Sequence, residues 1–280
     1  MANVASGGVG PAAPAELQKL LAEFGVGARV RTPEPSQLID QLKAAIDAGP
    51  DLLITLAGDG TVRAAAELCG PDGPMLVPLP GGTMNMMPHA VYGPRPWPDA
   101  LKLALEEGRE RDLGGGCIEG RRFLCAAILG SPARLAPARE AAREGRLLEA
   151  AGRVRHAVQR AFTGRLRYQL DAGRRAKAEA LVLMCPIASK VMHAEDPVLE
   201  VAALNPRGAG QILRLGINAL VRDWRVDPSV EDQFCKRAHI WSAQGIPALL
   251  DGESVRLPSV IDVRYDPRVC RVLTPPKDER

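Results

Sequence analysis

Residues 52–61 read Leu52-Leu53-Ile54-Thr55-Leu56-Ala57-Gly58-Asp59-Gly60-Thr61, and the fold class follows from them. Leu52–Leu56 is a short apolar run of the kind expected for a strand covered on both faces. Ala57–Thr61 breaks the run with two glycines, and Val62–Leu68 continues at helical spacing. A buried strand, a glycine loop and a helix in that order make the repeating unit of a parallel sheet. The rhythm extends upstream. Leu17, Leu20, Leu21 and Phe24 mark a helix over Pro14–Phe24, with Pro14 at its start and Gly25 at its stop. Val26–Val30 is predicted as a short strand. Leu38, Ile39, Leu42 and Ile46 mark a second amphipathic helix, capped by Ser36 and ended by Gly49-Pro50. Downstream, Met75–Val77 reads as a buried strand before a Gly/Pro loop, and Trp97–Glu107 as a further helix.

The pattern changes after Arg111. Cys117–Ile118 and Phe123–Leu129 read as strands joined at Glu119-Gly120-Arg121, a hairpin signal. Leu166–Leu170 and Ala178–Met184 repeat it around Asp171-Ala172-Gly173. Leu199–Leu204, His239–Ser242 and Val260–Tyr265 are further strands, and helical stretches are expected at Ala136–Phe162 and near Gln211–Val221. The expected organisation is an α/β domain over residues 1–112, a parallel sheet with flanking helices, followed by a mainly antiparallel domain over 113–280. The boundary falls at the glycine-rich Asp112–Gly116, and residues from about 266 onward return to the first domain.

Three glycine-bearing loops stand where a parallel sheet presents its ligands: Ser6-Gly7-Gly8, Ala57–Thr61 and Pro80-Gly81-Gly82-Thr83-Met84-Asn85. Glycine lets backbone N–H groups approach phosphate oxygens, and a following helix N-terminus adds unpaired donors and a favourable dipole. Thr61 and Thr83 add hydroxyls. Asp59 is the odd member, because a carboxylate beside a polyphosphate is repulsive unless a metal ion, water or substrate hydroxyl intervenes. Such an acid points to phosphoryl transfer. Neither a G-x-x-x-x-G-K-[ST] loop nor a G-x-G-x-x-G opening a βαβ unit is present.

Four motifs together resemble the diacylglycerol kinase catalytic-domain family, which includes bacterial soluble lipid kinases and sphingosine and ceramide kinases. Asn3-Val4-Ala5-Ser6-Gly7 is similar to the family's opening N-P-x-S-G. Gly58-Asp59-Gly60-Thr61 matches its G-G-D-G-T, with Ala57 in place of the first glycine, and Pro80–Asn85 its P-x-G-T-x-N. Leu250-Asp251-Gly252-Glu253 matches the late L-D-G-E. The order and rough spacing of all four agree across nearly the whole chain. The resemblance implies an α/β nucleotide-binding domain followed by a β-sandwich-like substrate domain. It implies an ATP site lined by Asn3, Ser6, Gly7, Thr32, Ala57, Gly58, Asp59, Gly60, Thr61, Arg63 and Thr83, to which the loops add Gly8, Gly82 and Asn85. Asp251 and Glu253 would stand at the substrate hydroxyl, one of them as general base, helped by Asp59. The family's structural Mg²⁺ lies just before a strand reading L-x-V; here Leu199-Glu200-Val201 matches, which points to Asp196 as a ligand. Only Met1-Ala2 stand before Asn3, so the edge strand expected there is short.

Composition narrows the rest. A net charge of +3 over 280 residues gives no reason to expect a nucleic-acid partner. Six scattered cysteines without C-x-x-C spacing read as reduced, buried thiols of a cytoplasmic protein. His89, His156, His193 and His239 are dispersed without a metal or triad pattern. The first residues have neither the basic nor the apolar region of a leader peptide, and no apolar run is long enough for a membrane span. Between Arg134 and Lys177 twelve Lys/Arg face four acids, which suits peripheral contact with an anionic membrane. Oligomeric state is not legible. The expected activity is an ATP-dependent kinase of a lipid alcohol, diacylglycerol- or ceramide-like. The alternatives are a catalytically weak nucleotide- or lipid-binding homologue and a soluble-metabolite kinase related to NAD kinase, which shares the G-D-G-T logic.

Overall fold

Leu52–Ala57 forms strand β1 and Met75–Pro80 forms β2, parallel and in register from Leu52↔Met75 to Ala57↔Pro80. The computed structural model describes residues 1–130, 132–133, 166–189, 191–192, 196–205 and 230–276. Two compact units divide the chain, one of Met1–Gly115 with Asp266–Arg280 and one of Gly116–Tyr265.

In the first unit, helices α1 (Ala13–Glu23), α2 (Leu38–Ile46), α3 (Asp59–Cys69), α4 (Met86–Tyr92) and α5 (Trp97–Glu107) accompany the sheet. Helix α1 buries Ala13, Leu17 and Leu21, four residues apart, so one stripe meets the core. Burying each of the two leucines contributes about 1.5–3 kcal/mol. They pack with Leu56, Val77, Leu79, Tyr92 and Leu101 in one cluster. Ala2 adds a parallel bridge to Leu56, which extends the sheet by the short edge expected before Asn3. The end of the chain returns as part of β14 (Val260–Thr274), parallel to β2 at Val272↔Leu76. The Tyr92 hydroxyl donates to the Leu273 carbonyl at 2.7 Å and ties α4 to that strand.

Two local expectations change. Val26–Val30 is not a strand: the Gln18 side chain takes the amide of Val30 and donates to the carbonyl of Ala28, doing what a neighbouring strand would. Ser36 caps nothing; it lies in a 3₁₀ turn, Pro35–Gln37, that leads into α2. Asp112–Gly116, the expected domain boundary, contains the division between the two units, between Gly115 and Gly116, and lies within a ten-residue strand, β3 (Arg109–Ile118). Its glycines serve packing, since a Cβ on Gly116 would fall inside the Phe123 ring.

The second unit is a sandwich of antiparallel sheets. One contains β6 (Leu166–Leu170), β7 (Ala176–Ala178), β11 (Arg237–Trp241) and the first part of β14, paired in the order β7-β6-β11-β14. The other has the order β10-β9-β8-β5-β12-β13. Its strands are β5 (Ala126–Gly130), β8 (Ala180–Met184), β9 (Leu199–Leu204), β10 (Val230–Cys235), β12 (Ile246–Leu250) and β13 (Glu253–Leu257). Short β4 (Arg121–Phe123) pairs with β3 across Glu119-Gly120, both at positive φ, as the hairpin signal required. Leu129, Tyr168, Leu183, Val201, Ile240 and Ile261 belong to the shared core. Alternation of buried and exposed residues along β6 and β11 gives each strand one core face and one outer face. The predicted strand Ala178–Met184 is two strands, β7 and β8, in different sheets with Glu179 between them. The predicted helices over 136–162 and 211–221 lie outside the described residues.

Candidate functional site

Three loops meet at the carboxyl ends of β1 and β2, where the backbone leaves the sheet. The Gly58 amide donates to Ser6 Oγ at 3.1 Å, the Gly8 amide to the Gly81 carbonyl at 3.0 Å, and the Gly81 amide to the Ala57 carbonyl at 3.0 Å. Asn3 Nδ2 reaches Thr61 Oγ1 at 3.3 Å. Close approach demands glycine. A Cβ on Gly81 would stand 2.6 Å from the Ala57 nitrogen, and one on Gly8 would stand 2.9 Å from the Gly82 carbonyl oxygen. Within the third loop the Gly82 amide donates to Asn85 Oδ1 at 2.7 Å, and Asn85 Nδ2 returns to the Gly82 carbonyl at 3.0 Å. Asn85 has a φ of 50°, a conformation its short amide side chain tolerates. Thr83 Oγ1 lies on the Gly7 side of the group, 3.8 Å from where a Cβ on Gly7 would be.

Helix α3 starts inside this cluster with Gly58 as its N-cap, so its first-turn amides, at Asp59 and Gly60, have no acceptor within the helix. Such amides, with the helix dipole behind them, favour an anion. Asp59 works against that. Burial raises its carboxyl above the ordinary carboxylate range, while the amides of Met86, Met87 and Asn85 at the start of α4, and His89, favour the charge. Asp59 Oδ1 is buried without a hydrogen-bond partner among the described residues. The acid therefore ties the second loop to α4 and keeps one oxygen available. Helix α4 itself had no sequence signal: Pro88 lies within it, and Gly/Pro-rich flanks suggest a loop.

Asp251 and Glu253 occupy a two-residue hairpin in the second unit. Asp251 and Gly252 have φ of 46° and 87°, the signature of the tight turn that Asp-Gly favours between paired strands, here β12 and β13. The Asp251 carboxylate, 7% exposed, turns inward and accepts from the amides of Leu124 at 2.6 Å, Cys125 at 2.8 Å and Ala126 at 2.9 Å. Asp171 repeats the device at the turn after β6, with φ 45° and the amides of Lys236 and Arg237 on its carboxylate. Asp251 thus anchors the segment that enters β5. Glu253, two residues on, is exposed.

Thr32 is exposed and follows Arg31, whose carbonyl accepts from the Ala2 amide. Arg63 is half-buried on α3. Asp196 is half-buried ahead of β9. Among the described residues no three His, Cys, Asp or Glu side chains converge as a metal-binding group. The described residues form no cluster of three such side chains around a metal, and no step below runs through magnesium. Glu200, fully buried on β9, was not singled out for its own chemistry from sequence. Ser189 donates to its carboxylate, and the amides of Val191 and Met192 close on the same hydroxyl.

With three glycine loops converging beside an acid, comparison with known proteins becomes decisive. Residues 1–115 match the diacylglycerol kinase catalytic domain family. That match covers every loop of the first-unit cluster. The fold is that of solved relatives of this diacylglycerol kinase group. A diacylglycerol kinase structure from Bacillus anthracis str. Sterne aligns with a TM-score of 0.69 at 16% identity, covering 98% of this chain and 95% of that one. A candidate diacylglycerol kinase from the same strain aligns with a TM-score of 0.74 at 20% identity, covering 98% and 96%. An NAD kinase from Archaeoglobus fulgidus, in complex with ATP, aligns with a TM-score of 0.55 at 12% identity, covering 99% and 93%. No curated protein matches the sequence. The α/β unit and the antiparallel unit therefore have the fold of these diacylglycerol kinase and NAD kinase structures, and the match over residues 1–115 supports a lipid or metabolite kinase.

Proposed function

We propose that this protein is an ATP-dependent lipid kinase that phosphorylates the primary hydroxyl of a diacylglycerol- or ceramide-like lipid. The observation that carries the reading is the convergence of Ser6–Gly8, Ala57–Thr61 and Gly81–Asn85 at one edge of the first unit's sheet. The hydrogen bonds among the loops hold them in place, and the first-turn amides of α3 at Asp59 and Gly60, without an acceptor in the helix, are placed to stabilise phosphate charge. Asn3, Ser6, Thr61 and Thr83 supply side-chain polar groups around the same amides. In phosphoryl transfer the protein contributes mainly positioning and electrostatics, which a preformed loop set provides.

The surroundings of the two late acids support giving them different roles. Asp251 is occupied by three amides, which hold its charge and leave it poorly placed to take a proton. We assign Glu253 as the general base for the attacking hydroxyl and Asp251 as the residue that positions its turn. Asp59, buried beside the phosphate-binding amides, is assigned to the reacting hydroxyl or the nucleotide, where its remaining oxygen can accept a hydrogen bond.

Incubation of the full chain with labelled ATP and a total lipid extract, followed by mass spectrometry, tests the reading. The expected product is a phosphomonoester of a neutral lipid alcohol. The fold shared with an ATP-bound NAD kinase favours one rival, a soluble-metabolite acceptor. Labelling of NAD in place of lipid would establish it. ATP binding with no labelled product under any acceptor would favour a homologue that binds without catalysis.

A further inference from the structure

Strands β7, β6, β11 and the first part of β14 turn one face to the core of the second unit and the other outward. Register fixes the outward face as a grid. Lys177 stands opposite Arg167, Arg167 opposite Trp241, and Trp241 opposite Val260. The next row runs Gln169, His239, Asp262, and beyond it Arg237 stands opposite Arg264. Arg167, Arg175, Lys177, Arg237 and Arg264 are all exposed. Val260 is 51% exposed although it is apolar, and the Arg175 guanidinium lies 5.5 Å from the centre of the Trp241 ring.

Five cations therefore share one sheet face with an aromatic and an aliphatic side chain, Arg167, Arg175 and Lys177 beside Trp241 and Arg237 and Arg264 two rows away. Acids lie among them too, and exposed Glu119 lines the same surface depression as Arg237 and Arg264. Asp262 meets His239 Nδ1 at 2.7 Å, and Asp171 faces the Lys236 and Arg237 amides. Like charges directly opposite in a ladder, as Arg237 and Arg264 are, repel. An external anionic surface relieves that repulsion. The array is broad and carried by consecutive strands, so it suits an extended surface better than a single ion. Tryptophan is at home at the headgroup level of a bilayer, where one part of its ring is apolar and the N–H stays wet. Arg167, Arg175 and Lys177 are the described end of the basic run noted in the sequence, and they lie on or beside strands, where Arg237 and Arg264 from distant segments join them.

We propose that this face docks the protein on an anionic phospholipid bilayer. The proposal deepens the lipid-acceptor reading by naming the surface on which the substrate is met. Vesicle binding requires no phosphoryl transfer, so the two readings fail separately. In the test, the full chain is sedimented with phosphatidylcholine vesicles that do or do not contain phosphatidylserine. Wild type is expected to bind only the anionic vesicles and to be released by salt. Each basic residue near such a surface is worth about fivefold in partition, so the triple change Arg167→Gln, Arg237→Gln, Arg264→Gln should weaken binding about a hundredfold. The matching triple change to Lys keeps the charge and should retain binding within a few-fold, which separates lost charge from a damaged sheet. Equal binding by the Gln variant, or wild-type indifference to phosphatidylserine, overturns the proposal. So does preferential binding of a single-stranded oligonucleotide, or dimerisation through this face that the Gln variant abolishes.

Discussion

Gly82 and Gly58 approach so closely that a Cβ on Gly82 would lie 2.6 Å from the Gly58 Cα. The third loop can lie against the second only because Gly82 lacks a side chain. Gly82→Ala should therefore push the loops apart, cost about 1–3 kcal/mol and abolish ATP binding. Gly58→Ala is the contrast: its Cβ would meet Gly82 Cα at 3.6 Å and Ser6 Oγ at 3.7 Å, ordinary contacts, with φ at −78°. It should change stability by less than about 0.5 kcal/mol. Thermal unfolding and ATP titration calorimetry on both variants check this, and an undisturbed Gly82→Ala would refute the packing argument.

Asp251 and Glu253 should separate stability from activity. Asp251→Ala leaves the amides of Leu124, Cys125 and Ala126 without their carboxylate and should destabilise by about 2–4 kcal/mol. Glu253→Gln, on an exposed side chain, should leave the melting temperature unchanged and remove turnover. Full activity in Glu253→Gln would move the base elsewhere.

The pH dependence of stability carries the mark of Asp59. Its folded carboxyl titrates above its unfolded value because burial disfavours the charge. Between those two values the folded state binds more protons than the unfolded chain, so this residue's contribution falls as pH rises through the window. Above the window the buried charge is a cost at every pH. Asp59→Asn keeps an oxygen for the α4 amides without the charge. It should be neutral or stabilising at neutral pH, flatten that part of the stability profile, and eliminate phosphoryl transfer. A variant clearly less stable than wild type at neutral pH would show that the carboxylate is needed for folding.

Thiol chemistry should be silent in the native state. All six cysteines are buried, and burial pushes Cys69 up to about 11 and Cys235 and Cys270 to about 12. Thiolate is the reactive form, so Ellman's reagent at mildly alkaline pH should label nothing until denaturant is added. Rapid native labelling of even one cysteine would reveal an opening that the packed state does not contain.

Much of the fold was legible because its signals are local. Leu52–Leu56, the helix over Trp97–Glu107 and the Glu119-Gly120 and Asp251-Gly252 turns each carry their own periodicity or dihedral requirement. Val26–Val30 was misread because β-branched and apolar residues mark extended backbone but not its partner, and Gln18 took the partner's place. The glycine cluster at Asp112–Gly116 marked the division between the units, which falls between Gly115 and Gly116; that it lies inside a strand was not legible, because only the Phe123 ring explains Gly116 there.

The site divides the same way. Sequence alone determined which residue types are candidates for chemistry, since glycine loops, an embedded acid and an Asp-Gly-Glu turn are chemical types fixed by their order along the chain. Tertiary structure decided the surroundings of each one. It turned Asp251 inward onto three amides, left Glu253 exposed, and buried Asp59 at the start of α4. Those outcomes depend on hydrogen-bond partners more than a hundred residues away for Asp251 and on solvent exclusion for Asp59. Neither quantity exists until the chain has folded.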